Sequence, residues 1–331
     1  MKRILLASTA LCLGAGMAAA QDMAMDDGMM EMSMPSVTVG GDGRMGVVFD
    51  DDENAKFSSR VRVSFTLAAA LDGGMTAGGS IRADNAPAGA KGTGGSIFLA
   101  GSFGKLAMGD VDPGAKAALG NVATVGYSLL DEENNLTYIR GDDPDPTLLY
   151  TLPAMGPVQA YASVSQEAMP DGVETAYSLD ATGTAVQAPK TKNEVSFDTF
   201  SIGAKADLAF GDMGTAWLGG GFESATGDGD GHLMVGAGAS VSGFTGKLLV
   251  GTRDDNNQYA VSAGYSAGVI GATVFYADDT EMGDADGEAL GVGLDWALGG
   301  GASIKGGVVS NIGQNGADDT RKADLGVTFS F

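Results

Sequence analysis

Between residues 57 and 67 the chain sorts its side chains by parity. Phe57, Ser59, Val61, Val63, Phe65 and Leu67 occupy one set of alternate positions, and Ser58, Arg60, Arg62, Ser64 and Thr66 the other. A helix, with its 3.6-residue period, would mix the two sets; an extended strand sends them to opposite faces. The preceding segment does the same, with Val37, Val39, Gly41, Gly43, Met45, Val47 and Phe49 on one side and Thr38, Asp42 and Arg44 on the other. Further strand-like segments lie near 75–84, 94–103, 104–110, 147–153, 157–166, 195–209, 213–224, 231–242, 244–253, 257–266, 269–277, 288–298, 301–311 and 320–331, sixteen in all with the first two. The alternation breaks near Thr199 and Phe200, where a bulge is expected, and in 269–277 both faces read as apolar.

Composition removes the competing classes. Glycine, 54 of 331 residues, is about twice its usual share of roughly 7%, but no collagen-like three-residue period accompanies it. An apolar content of 44% is too high for a disordered chain. Beyond the N-terminus no stretch offers the ~18 uninterrupted apolar residues of a membrane-spanning helix.

A soluble sandwich would show the same alternation, so the choice between core-in and lipid-out rests on the connections. Tight turns at 71–74, 103–104, 153–157, 211–212, 242–243, 267–268 and 299–301 alternate with longer, acidic connections at 50–56, 85–93, 110–146, 166–193, 224–230, 253–257, 277–288 and 311–319. Short turns at one end and long loops at the other mark a transmembrane barrel with its short end in the periplasm. The last strand agrees: Leu325, Val327, Phe329 and Phe331 alternate with Asp324, Gly326, Thr328 and Ser330. Such an apolar edge invites aggregation unless it pairs with the first strand and closes the sheet. The expected fold is all-β, a sixteen-stranded antiparallel transmembrane β-barrel over 35–331.

Lys2 and Arg3, an apolar run over 4–17 and Ala18, Ala19 and Ala20 before Gln21 have the layout of a secretory signal peptide over 1–20, cleaved before Gln21. The Gly and Ala content of the run speaks against a retained anchor, and Leu11 before Cys12 against a lipoprotein site. Residues 21–34, rich in Met and acids, read as an N-terminal tail; copper(I) binding by the methionines is the alternative. Without Lys2 and Arg3 the mature chain carries 17 basic residues against 42 acidic ones, a formal charge of −25, and no cysteine. So acidic a chain excludes nucleic acid as a partner.

The segment 110–146 is too long for a structureless connection in a compact domain. It carries Asp110, Asp112, Asp131, Glu132, Glu133, Asp142, Asp143 and Asp145 against Lys116 and Arg140. It is expected to fold into the barrel as an inward third loop and narrow the pore.

The segments GDGRMGVVFDDDENAKFSSRVRVSFTL (41–67), FLAGSFGKLAMGD (98–110), LLYT (148–151), LGGGASIKGGV (298–308) and ADLGVTFSF (323–331) resemble the general porins of photosynthetic and related alphaproteobacteria, the Rhodobacter-type outer-membrane porins. The resemblance spans most of the mature chain in order, is strongest at both ends, and is weak in 166–193 and 21–34. It implies a homotrimer of sixteen-stranded barrels in the bacterial outer membrane, in contact with lipid and lipopolysaccharide. It also implies an eyelet formed by the third loop opposite a basic wall, whose residues match Arg44, Arg60, Arg62 and Arg82. The acids facing that wall would be Asp131, Glu132, Glu133, Asp142 and Asp143, in a loop that departs from the family in length and order. No cofactor is required; calcium in the acidic loops is a family trait for which no ligands are assigned here.

The resulting expectation is passive diffusion of ions and small hydrophilic solutes through a water-filled channel. The two charged walls set a transverse field across the constriction, and the acidic loops confer weak cation selectivity. A solute-specific channel and a structural or adhesive barrel are the alternatives. Lys205 and Lys305 also fall on the inner face and are read as background charges. Catalysis is not expected, because the sole histidine, His232, stands in no pattern that supplies a nucleophile and an orienting partner.

Overall fold

The computed structural model describes residues 35–49, 55–84, 95–128, 130, 138–139, 147–166, 177–179, 185–187, 197–225, 231–253, 256–279, 287–312 and 319–331. The expected signal peptide and Met-rich tail lie outside these residues. The strands are β1 (Ser36–Phe49), β2 (Ala55–Leu71), β3 (Met75–Asp84), β4 (Gly95–Gly101), β5 (Gly104–Gly109), β6 (Thr147–Thr151), β7 (Val158–Gln166), β8 (Tyr177–Leu179) and β9 (Ala185–Gln187) in the first half. The second half adds β10 (Phe197–Ala209), β11 (Gly214–Ala225), β12 (Gly231–Val241), β13 (Phe244–Arg253), β14 (Asn256–Ala267), β15 (Ile270–Asp278), β16 (Glu288–Gly299), β17 (Ala302–Ile312) and β18 (Thr320–Ser330).

All but β8 and β9, which pair with each other, form one closed antiparallel barrel of sixteen strands in which each strand lies beside its neighbour in sequence. The ring closes between β1 and β18, from Asp42 opposite Ser330 to Phe49 opposite Ala323. Gly41 and Phe331 exchange backbone hydrogen bonds of 2.8 and 3.0 Å at the seam, so the apolar last strand has no free edge. The β10 register shifts between Phe197 and Thr199, beside the break seen in the sequence. The β8–β9 hairpin lies within 166–193, which the sequence predicts as a loop without strands.

The parity of the strands becomes the two sides of the wall. Phe57 is 96% exposed, and Val61, Phe65, Leu67, Leu218, Val235, Leu294 and Leu325 are also exposed, all on the outer face. An apolar outer surface of this extent is stable against lipid and not against water. Exposed aromatic residues gather toward the two ends of the strands: Phe210, Phe244, Tyr265, Trp296 and Phe331 at the turn end, and Phe49, Phe57, Phe200 and Tyr259 at the loop end. These are the interfacial girdles of a membrane barrel.

The strand with two apolar faces has a simple explanation. On β15, Ile270 and Val274 point outward and are exposed, whereas Phe275 and Ala277 point inward and are buried. They belong to a cluster inside the barrel with Leu119, Val122, Val125 and Leu130 of the third connection. A lumen-facing position can be apolar when a loop covers it.

Candidate functional site

The third connection begins with a six-residue helix, α1 (Gly114–Leu119), too short for any periodic signal in the sequence. Pro113 precedes it without a side-chain cap, so its first amides need acceptors from elsewhere. The wall provides them: Gly114 donates to Ser163 Oγ at 2.9 Å and Ala115 to Ser201 Oγ at 2.8 Å. At the other end Gly120, at φ 58°, closes the helix by donating to the Lys116 carbonyl at 2.7 Å, a left-handed conformation that favours glycine.

From α1 the loop follows the inner wall around the barrel. Lys247 of β13 donates to the Asn121 carbonyl at 2.5 Å, and Ala123 donates to Ser262 Oγ of β14 at 3.1 Å. Beyond it, Ser128 donates to Asp324 of β18 through its amide at 2.7 Å and its hydroxyl at 2.5 Å. The other Asp324 oxygen accepts from the Gly307 amide at 3.0 Å. On the return, the Ile139 amide donates to Glu223 at 2.8 Å, and Ser201 donates to the same carboxylate at 3.1 Å. Glu223 is fully buried and Asp324 nearly so, and each is occupied by loop and wall donors together.

Glycines make the room. A Cβ at Gly221 would stand 2.6 Å from the Ala115 Cβ, and one at Gly203 would stand 2.7 Å from that of Ala118. Farther along, a Cβ at Gly293 would meet Val125 at 2.9 Å, one at Gly307 the Gly126 nitrogen at 2.6 Å, and those at Gly326 and Gly46 the Tyr127 ring at 2.6 and 2.7 Å. These six positions form a seat for the loop on the inner wall, which gives part of the high glycine content a specific cause. Tyr138 completes the packing by donating to the Gly120 carbonyl at 2.8 Å. Burial first, then the negative charges of Glu223 and Asp112, push its hydroxyl far above the ordinary tyrosine range. Tyr127 is shifted the same way, again mainly by burial.

Arg44, Arg60, Arg62 and Arg82 all face the lumen, on three adjacent strands. They do not form an unbroken basic row. Arg60 bonds Asp42 at 2.8 Å; Arg62 lies 3.1 Å from Asp84 and 4.0 Å from Asp42; Arg82 lies 3.3 Å from Asp84. The wall is a ladder of alternating sign, Arg60, Asp42, Arg62, Asp84, Arg82, with Arg44 at one side donating to the Ser128 carbonyl. Asp84 did not emerge from the sequence as a site residue, although it stands two positions from Arg82 and therefore on the same face. Its side chain is only 7% exposed, sandwiched between two guanidinium groups. The five acids assigned to the opposing side, Asp131, Glu132, Glu133, Asp142 and Asp143, lie outside the described residues, as do most of the acidic loops in which the resemblance allows calcium. His232 is fully buried in the wall, its Nε2 2.5 Å from the Gln258 amide nitrogen, an arrangement that supports packing and not catalysis.

A closed barrel with an apolar exterior and a loop seated against its inner wall is the frame of a membrane channel. A family model described as Gram-negative porin matches residues 7–329. The chain belongs to the Gram-negative porins. It is 32% identical over 311 residues to a porin of Rhodobacter capsulatus, a match covering 89% of this chain and all of that protein. Among solved structures, a porin refined at 1.8 Å resolution is similar with a TM-score of 0.65 and 28% identity, covering 89% of this chain and 100% of that one. A triple mutant of Rhodopseudomonas blastica porin shares the fold, with a TM-score of 0.60 at 21% identity over the same shares. This porin is accordingly an outer-membrane channel and not an enzyme.

Proposed function

We propose that this porin is a general diffusion channel for ions and small hydrophilic solutes, with weak cation selectivity set at a constriction between the third loop and the arginine ladder. The observation that carries the reading is the ladder itself. Three of the four arginines, Arg60, Arg62 and Arg82, meet two aspartates there, so two of the wall's four positive charges are neutralised at contact distance. What remains is a local excess of about two charges, against a chain whose mature net charge is −25. In a narrow lumen with low-dielectric walls such fixed charges act with little screening. The acids of 131–143 belong, in this reading, to the opposite side of the opening and tip the balance toward cations.

The functional unit in this proposal is a homotrimer in the outer membrane, in contact with lipid and lipopolysaccharide, formed after the signal peptide is removed before Gln21. Reversal potentials of the purified mature protein in a potassium chloride gradient test the selectivity. A potential of the sign for cations is expected, with large and nearly ohmic conductance steps; an anion-selective potential would overturn the assignment.

A further inference from the structure

The outer face of the barrel is not smooth. Across β15 to β18 and β1 a trough of about 600 Å³ opens toward the membrane. Its floor is Gly306, an outward position of β17 with no side chain, and its register neighbours Leu294 of β16 and Leu325 of β18 stand up exposed on either side. Toward the loop end the trough stays open, because Ala323 projects only a methyl group between Val308 and Phe49. At the turn end it is bordered by Ile304 and, beside it in register, Trp296. From Val308 to Ile304 the floor runs four residues of strand, about 13 Å at the rise of an extended chain. That length is comparable with one leaflet, half of an apolar band about 25 Å tall. Two residues beyond Ala323 on the same face, Arg321 stands exposed at the loop end. Among the described residues it is the only basic side chain on the outer face of β14 to β18; the exposed Asp319 lies two residues further along the chain.

We propose that the trough is a lipid site: one acyl chain of a phosphorylated lipid of the outer leaflet lies along Gly306, and its phosphate meets Arg321. A chain lying in the recess removes more of its methylenes from the fluid bilayer's competing contacts than one lying on a flat wall, because Leu294 and Leu325 flank it on both sides. The guanidinium fork fits a phosphate by two parallel hydrogen bonds and selects an anionic headgroup over a zwitterionic one. The aromatic residues tell which occupant this face meets. Phe49 and Trp296 mark the two interfacial levels at the two ends of the trough, and such girdles form where a barrel faces lipid. The outer faces of β3, β4 and β5 instead expose Ile81, Ile97, Leu99, Leu106 and Met108 and no aromatic residue, so contact between copies in the proposed trimer falls there and the trough is left to lipid. The inference deepens the lipid contact proposed above and is independent of what the pore conducts.

In a Trp217→Phe variant of the mature protein, Trp296 is the only indole, and it borders the trough. In phosphatidylcholine vesicles this protein is titrated with phosphatidate brominated near the chain end, which quenches indole fluorescence on contact, and in parallel with phosphatidylcholine brominated at the same place. Phosphatidate should quench at about fivefold lower mole fraction, as expected for roughly one basic residue acting at a membrane surface. Arg321→Ala should bring the two curves together, and Asp319→Asn, which removes a neighbouring negative charge, should move them further apart. Ala323→Phe fills the trough and should abolish the preference while its conductance step keeps the wild-type size. Coincident curves without these substitutions, a preference that survives Ala323→Phe, or a Trp296 that neither lipid quenches, as when a second copy covers the trough, would overturn the lipid site. If Ala323→Phe does not insert, the comparison with Arg321→Ala still decides. Failure to see any conductance step would instead overturn the channel reading and leave the outcome of the lipid titration standing.

Discussion

Asp324→Ala would remove the acceptor that ties the far end of the third loop to the wall. The carboxylate takes two hydrogen bonds from Ser128, at 2.7 and 2.5 Å, and one from the Gly307 amide at 3.0 Å, in a buried setting. Hydrogen bonds to a charged group contribute roughly 1.5–3 kcal/mol each, so losing the two from the loop disfavours the seated state by about 3–6 kcal/mol. At about 1.4 kcal/mol per factor of ten, the lifted population of this part of the loop rises by about a hundredfold or more. The barrel keeps its strand pairing, and the start of the loop keeps Ser163, Ser201, Lys247 and Ser262, so fluctuation near residues 125–130 is expected and not unfolding. Single-channel recording should show greater open-channel current noise and a larger mean conductance, with the thermal denaturation of the barrel little changed. Ser128→Ala, which deletes only the hydroxyl bond, should give a smaller effect in the same direction. Noise and conductance in Asp324→Ala indistinguishable from wild type would refute the tether.

Gly307→Ala places a methyl group 2.6 Å from the Gly126 nitrogen, and Gly221→Ala places one against Ala115; each should displace the loop and alter the conductance step, unlike Gly220→Ala, whose Cβ meets nothing closer than 3.5 Å. Asp84→Asn releases Arg62 and Arg82 from their shared partner and should move the reversal potential toward anions, most visibly at low ionic strength, where screening is weakest. Tyr138 has its ionisation raised above the ordinary value, so its neutral hydroxyl supports the seated loop fully below pH ~10. That support is lost only as strong alkali drives the pH up through the raised value. Conductance should therefore stay constant from neutral pH through about 10, where an unburied tyrosine ionises, and a step there that Tyr138→Phe abolishes would contradict the buried bond to Gly120.

The barrel was legible because each strand states its own parity: in 57–67 a single residue of slip would put Arg60 and Arg62 into lipid. The inward side of the four arginines follows from the same rule; their grouping as a basic wall comes from the family resemblance. The seat of the loop was not legible, because Gly203, Gly221, Gly293 and Gly307 read in a linear sequence as weak strand positions, and only the barrel brings them against one segment. Glu223 and Asp324 likewise look like ordinary acids near strand ends until closure buries them under the loop. The helix at Gly114–Leu119 is stabilised by serines from two other strands, which no local propensity reveals. Asp84 was within reach, since it shares a face with Arg82, but counting only basic residues on the wall left it out.

The exposure of the arginine ladder to permeating ions is tested most directly by thiol modification during conductance recording. In protein expressed without residues 1–20, and so without Cys12, a cysteine placed at Arg62 is the only thiol. A charged methanethiosulfonate reagent added to an open Arg62→Cys channel is expected to reduce its current in discrete steps, and Val61→Cys, one residue away on the lipid face, should not respond. An inert Arg62→Cys channel, or equal effects at the two positions, would contradict a constriction lined by this wall.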